Sequence, residues 1–98
     1  MMFKSAIVAV LATVVLSFVA AEDTRMDYKL AKGQTVAQFC AAWNTECYKY
    51  IPKVQPGAEV GEYCEAGPGK DEVQTYCNAY AVTLHGSAVA KILHAVPA

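Results

Sequence analysis

The chain has no cluster of basic residues and little excess charge of either sign. It contains 8 Lys and Arg against 9 Asp and Glu. Removal of Lys4 with a predicted leader leaves a slightly acidic protein. Nucleic acids and anionic membranes attract clustered Lys and Arg. The charge therefore argues against nucleic acid as a partner and makes a membrane an unfavourable one.

Common catalytic motifs are also missing from the sequence. It has 2 histidines, no HExxH, no glycine-rich phosphate loop and no His beside a nucleophilic Ser. His85 and His94 would point about 180° apart on one continuous helix, so they could not share a metal ion there. Glu59, Glu62 and Glu65 recur at intervals of three, which we interpret as the solvated edge of a helical turn. We therefore expect no enzymatic activity, no metal ion and no cofactor.

Residues 1–21 have the composition of a secretory signal peptide. Lys4 gives a positive start, residues 6–19 are uncharged, and Val19 and Ala21 are compact enough for a cleavage site before Glu22. A membrane-spanning helix needs about 20 apolar residues, more than this stretch offers. A signal anchor is the alternative interpretation. We predict a secreted, extracellular and monomeric protein.

The remaining chain is predicted to be all-α, a small disulfide-stapled helical hairpin with a short third C-terminal helix. Residues 22–34 are interpreted as a polar N-terminal arm, although the alternation of Met26, Tyr28 and Leu30 also fits a short strand. Residues 35–98 form the predicted helical domain. Its proline- and glycine-rich part, residues 52–69, is predicted to be an ordered loop with a helical turn near residues 60–65.

Helix boundaries follow from capping signals and apolar spacing. Thr35 and Gln38 match a capping box, and an apolar face then recurs at helical spacing until Pro52. A second helix is predicted to begin at Asp71 and to end at Gly86. The apolar stripe of this second helix is Val73, Tyr76, Cys77, Tyr80, Ala81 and Leu84. A third helix is predicted over residues 88–96, or as a continuation of the second.

Four cysteines, Cys40, Cys47, Cys64 and Cys77, are predicted to form two disulfide bonds. Cys40 and Cys47 lie seven residues apart on one predicted helix, so their Cα atoms are about 10.5 Å apart. A disulfide requires less than about 7 Å. The favoured pairing is nested, Cys40–Cys77 with Cys47–Cys64, because Cys64 follows the helix end that carries Cys47. The crossed pairing, Cys40–Cys64 with Cys47–Cys77, stays open.

Tyrosines outside the predicted apolar stripes indicate a contact surface. Exposed tyrosine is common in protein interfaces because it offers a large contact area at a low entropic cost. Trp43, by contrast, is expected to pack in the core. The predicted contact residues are Tyr28, Tyr48, Lys49, Lys53 and Tyr63.

The segment Phe39-Cys40-Ala41-Ala42-Trp43, which runs on to Cys47, has the pattern Cys-x2-Trp-x3-Cys. Together with a signal peptide and a short mature domain, it resembles the small secreted cysteine-rich proteins of filamentous fungi, among which effector candidates are found. The resemblance implies an extracellular, non-enzymatic module that acts on a host or environmental protein. The alternatives are a lipid- or membrane-active peptide that uses residues 88–96, and a small secreted inhibitor or toxin.

Overall fold

A computed structural model describes residues 24–98, so the predicted signal peptide and its cleavage site lie outside the described residues. The fold combines helices with an antiparallel sheet, and the all-α prediction is wrong. The elements in chain order are β1 (Met26–Lys29), α1 (Val36–Val54), β2 (Val60–Ala66), β3 (Glu72–Ala79), β4 (Thr83–Leu84), α2 (Gly86–Ile92) and β5 (Val96–Pro97).

The sheet has the order β2-β3-β1-β5, and the short β4 pairs with the end of β3. All its pairings are antiparallel. β2 occupies one side of β3, so β1 and β4 follow one another along its other side. Both helices contact β3 and each other. They cover one face of the sheet, which we call the inner face. Neither helix covers the opposite face, which we call the outer face.

The first predicted helix is confirmed as α1. The Thr35 hydroxyl accepts a hydrogen bond from the Gln38 amide, and the Gln38 side chain accepts one from the Thr35 amide. Both halves of the capping box are therefore formed. The helix continues two residues beyond Pro52 to Val54. Because Pro52 stands in the last turn, its missing N–H removes only one helical hydrogen bond and does not end the helix at once.

The second predicted helix is wrong, because residues 72–79 form the central strand β3. Val73, Thr75, Cys77 and Ala79 are fully buried on the inner face, while Gln74 and Tyr76 alternate with them. This period of two is that of a strand. Asp71, the predicted helix cap, instead has a φ of 57° in the turn before β3.

Two segments predicted mainly as a polar arm and an ordered loop also contain strands, and a short strand was the alternative interpretation of the arm. The predicted arm, residues 22–34, contains β1, whose Tyr28 lies opposite Val73 on the inner face. The predicted loop, residues 52–69, contains the seven-residue strand β2. In each case the cross-strand hydrogen bonds to β3 supply the order that local sequence alone does not.

The third predicted helix exists as α2, but it begins and ends earlier than predicted. Gly86, interpreted as a helix end, is its first residue and is buried beside Trp43 and Met26. The following Val89 is fully buried in the core. The first turns of this helix therefore pack into the protein's own interior, whereas Ile92 at its end is exposed.

Candidate interaction surface

The disulfide bonds follow the crossed pairing, Cys40–Cys64 and Cys47–Cys77, so the favoured nested pairing is wrong. Cys64 does not lie in a loop beside the end of α1. It lies four residues beyond Val60 on β2, which runs back along the helix. A strand advances about 3.3 Å per residue and a helix about 1.5 Å. The strand from Val60 to Cys64 therefore spans the same length as about nine helical residues. Cys64 thus reaches Cys40, and β3 then returns Cys77 to Cys47.

Two disulfide bonds and no free cysteine indicate an oxidising environment, such as the extracellular space. Both bonds join α1 to the sheet. The Cys47–Cys77 bond is fully buried, whereas Cys40 and Cys64 are only partly buried. The helix is therefore fixed to β2 near one sheet edge and to β3 in the core.

Tyr28, a predicted contact residue, belongs to the core, so its predicted position on the surface is wrong. Its side chain is only 2% exposed, and its ring centroid lies 5.7 Å from that of Trp43 and 6.5 Å from that of Phe39. Burial raises the pKa of Tyr28 above its usual value, because the phenolate would lose its hydration.

Replacement of Tyr28 by Phe should make the free energy of unfolding fall less at alkaline pH. The unfolded tyrosine ionises near pH 10, whereas the folded protein holds its proton to higher pH, so unfolding releases protons there. The contribution of Tyr28 is complete below about pH 10 and declines as the pH rises above it. Urea unfolding at neutral and alkaline pH measures this decline. Tyr48→Phe is the exposed control, and an equal alkaline loss in wild type and Tyr28→Phe would contradict the assignment.

The other four predicted contact residues do not form one surface. Lys49 and Lys53 lie on the side of α1 away from β2, and the Lys49 Nζ atom is 4.0 Å from Glu46 Oε1. Tyr48 is 54% exposed and lies about 80° around α1 from Cys40. Tyr63 lies on the outer face. The structure therefore does not bring the five residues together.

Tyr63 stacks on Tyr76 across the β2–β3 pair on the outer face. The two ring centroids are 5.2 Å apart, with an angle of 6° between the rings. The Tyr63 hydroxyl donates a hydrogen bond to Glu65 Oε2 at 2.9 Å.

The β3–β4 hairpin carries an exposed apolar group, two members of which, Tyr80 and Leu84, were predicted to lie on a buried helical stripe. We call Tyr80, Val82 and Leu84 the hairpin surface; they are 55%, 78% and 56% exposed. The turn is closed by a hydrogen bond from the Val82 amide to the Ala79 carbonyl. Its central residues, Tyr80 and Ala81, both have positive φ, 54° and 61°, as a type I′ turn requires. Asn-Gly is the usual pair at these positions.

β2 is the edge strand on the other side of β3, and its hydrogen-bonding pattern can be assigned residue by residue. The Tyr80 amide donates to the Glu59 carbonyl and the Gly67 amide donates to the Glu72 carbonyl. Alternate residues of an antiparallel strand point their amides to the same neighbour. The amides of Gly61, Tyr63 and Glu65 therefore also face β3. The residues whose amide and carbonyl groups point away from it, here called the β2 edge, are Val60, Glu62, Cys64 and Ala66.

A groove of about 460 Å³ lies beside the opposite end of the sheet, next to β5. Its lining is mainly apolar and includes Leu30, Phe39, Leu93 and Val96. None of the predicted contact residues lines this groove. His85 is also outside it, with its Nε2 atom 2.6 Å from Gln55 Oε1 and its ring against Tyr50.

Among residues 24–98, no helix has the length and apolar character needed to cross a bilayer. Comparison of the chain with protein-family models, with curated proteins and with solved structures finds no match.

Proposed function

We propose that this chain is a secreted, disulfide-stabilised protein that binds an extracellular or host protein through surface contacts and catalyses no reaction. The observation that carries the proposal is the hairpin surface, where three large side chains within residues 80–84 are exposed. Contiguous exposed apolar groups favour contact with another protein. The resemblance of the Cys-x2-Trp-x3-Cys segment to secreted fungal effector candidates supports the same kind of activity.

Backbone strain at the hairpin supports the proposal. Non-glycine residues in the left-handed region cost roughly 1–2 kcal/mol each, and this turn contains two of them in succession. Strained positions of this kind cluster at functional sites, where a side chain is needed in a fixed place. Tyr80 is further held by a hydrogen bond from its hydroxyl to the Gly57 carbonyl at 3.2 Å. The apolar side chains are therefore presented on an ordered support.

The membrane-active alternative is less well supported. It required the apolar face of residues 88–96 to be available to lipid. In the fold Val89 is fully buried and Ala90 nearly so, although Ile92 and Val96 are exposed, so only part of this face is available to lipid. The hairpin surface favours a protein partner over a lipid one, since no basic residue lies among Tyr80, Val82 and Leu84 to engage anionic headgroups.

Val82→Lys should weaken capture of the partner by at least about tenfold, because complete burial of a valine side chain contributes about 1.5–3 kcal/mol. The oxidised protein is immobilised and incubated with extracellular fluid from the source and from organisms that grow with it. Retained proteins are quantified by mass spectrometry. Val54→Lys is the matched control, since Val54 is an exposed valine at the end of α1.

A specific partner should be retained equally by wild type and Val54→Lys and lost with Val82→Lys. Retention of the same proteins by all three, or of none by the wild type, would contradict the proposed function.

A further inference from the structure

The β2 edge is an open row of backbone donors and acceptors on an ordered strand. The strand is seven residues long and contains no proline. Within residues 24–98, its pairing is with β3 alone. Such an edge is a template for one more strand. The position of β2 is fixed from behind, since the Cys40–Cys64 disulfide ties it to α1.

We propose that the β2 edge binds an extended, basic segment of a partner protein as an added strand. This inference deepens the proposed function and rests on it, because β2 begins beside the hairpin surface: the Tyr80 amide bonds to the Glu59 carbonyl. One partner could therefore contact both features.

The basic character of the segment follows from the acidic residues of β2. Glu59, Glu62 and Glu65 recur every third residue, and in a strand this spacing places them on alternate faces. Glu62 lies opposite Cys77 and so shares the inner side, whereas Glu65 lies opposite Gln74 on the outer face. Glu59 and Glu65 are exposed and Glu62 is half-buried. An added strand with Lys or Arg at every third position would place a cation near each carboxylate.

The same charges disfavour a second copy of this chain as the added strand. Antiparallel pairing of two β2 edges would bring the Glu62 residues of both copies close together, and like charges across a strand pair are destabilising. A tyrosine of β2 itself favours the basic segment instead. Tyr63 on the outer face can contact the aliphatic part or the cation of a lysine side chain.

The test uses the full oxidised protein and an acetylated, amidated heptapeptide with Lys at the first, fourth and seventh positions and Thr or Val between them. Amide hydrogen exchange is followed by NMR. At saturation we expect the amides of the β2 edge to exchange at least about tenfold more slowly, because the added strand takes up their hydrogens. The amides of Gly61, Tyr63 and Glu65 already bond to β3 and should change little.

Two peptide controls separate backbone pairing from charge. A peptide with Glu in place of each Lys should give no protection. A lysine peptide N-methylated at alternate residues lacks the donors on one side and should bind at least about tenfold more weakly. Equal protection by the glutamate peptide, or undiminished binding of the methylated one, would overturn the proposal.

Two variants at Glu62 separate the contribution of the backbone amide from that of the charge in the protein itself. Glu62→Pro removes an amide that points away from β3, which an edge strand tolerates, and it should abolish binding of the lysine peptide. Glu62→Gln keeps the amide and loses the charge, so it should weaken binding only severalfold. Near-ultraviolet circular dichroism checks that both variants are folded. If Glu62→Pro is not folded, the methylated peptide on the wild-type protein decides the question.

The outcomes for this inference and for the proposed function can be told apart. No protection of the β2 edge by the lysine peptide would overturn the inference, as would protection that rises with protein concentration in the absence of peptide. Perturbation confined to the hairpin surface would also overturn it and leave the proposed function standing. Peptide binding without any partner sensitive to Val82→Lys would support the edge and contradict the proposed function.

Discussion

Replacement of both Cys47 and Cys77 by alanine should destabilise the protein more than the same replacement of Cys40 and Cys64. The two bonds close loops of similar length, with sequence separations of 30 and 24. Loop entropy therefore assigns each bond about 3.5 kcal/mol. The difference comes from packing, because only Cys47 and Cys77 are completely buried. Their removal also leaves a cavity, which adds at least about 1 kcal/mol.

Urea unfolding followed by circular dichroism measures the two effects. We expect the Cys47→Ala, Cys77→Ala protein to lose fixed tertiary structure at room temperature and the Cys40→Ala, Cys64→Ala protein to keep it. The reverse order would show that the packing argument is wrong. Reduction of both disulfide bonds in the wild type should destabilise the protein at least as much as removal of the Cys47–Cys77 bond.

The crossed pairing can be checked by peptide mapping of the oxidised protein. Cleavage after glutamate divides the chain at Glu46, Glu59, Glu62, Glu65 and Glu72, which places the four cysteines on four different peptides. A linked pair of peptides 47–59 and 73–98 is expected. A link between 47–59 and 63–65 would restore the nested pairing and remove the basis for the predicted order of stability.

The first helix could be predicted because its signals are local. The capping box of Thr35 and Gln38 and the repeated apolar face lie within one continuous segment, and α1 forms there. The argument that Cys40 and Cys47 cannot bond to each other depends on the same helix and is confirmed. The pairing of both with the later half of the chain follows from it.

The central strand was missed because a spacing of four fits both a helix and a strand. Val73 and Cys77 lie on one face in either structure, so they could not distinguish the two. The decisive residue is Thr75, which continues the buried row although it is polar. Its hydroxyl is buried and donates to the Met26 carbonyl at 3.3 Å. That partner lies 49 residues away, and no local pattern in β3 indicates it.

The hairpin surface could not be predicted for a related reason. Tyr80 and Leu84 lie on the apolar stripe of the helix assigned to residues 71–85, which implies burial. A hairpin turn is usually recognised by glycine or asparagine at its centre, but here Tyr80 and Ala81 adopt positive φ. The turn is fixed by the pairing of Asn78 with Leu84 and Ala79 with Thr83. Tertiary pairing therefore overrides the local preference at the position where the proposed contact lies.

The interpretation of the acidic residues of β2 depends on the secondary structure assigned to them. As a helical turn, Glu59, Glu62 and Glu65 would form one solvated edge. As part of an edge strand, they alternate between faces while the backbone between them remains open to pairing. The acidic pattern was visible in the sequence, but its relation to a row of amides that point away from β3 depends on the strand.

Trp43→Ala should unfold the protein, because Trp43 joins the helical layer to the sheet at its centre. Its side chain is fully buried, it contacts the rings of Tyr28 and Phe39, and its Nε1 donates to the Tyr76 carbonyl at 3.1 Å. Truncation of a buried tryptophan costs about 3–5 kcal/mol, comparable to the whole stability of a domain of this size. Tyr48→Ala removes an exposed aromatic ring from the same helix and should cost less than about 1 kcal/mol. Urea unfolding by circular dichroism compares the two, and similar losses would show that the aromatic cluster does not hold α1 on the sheet.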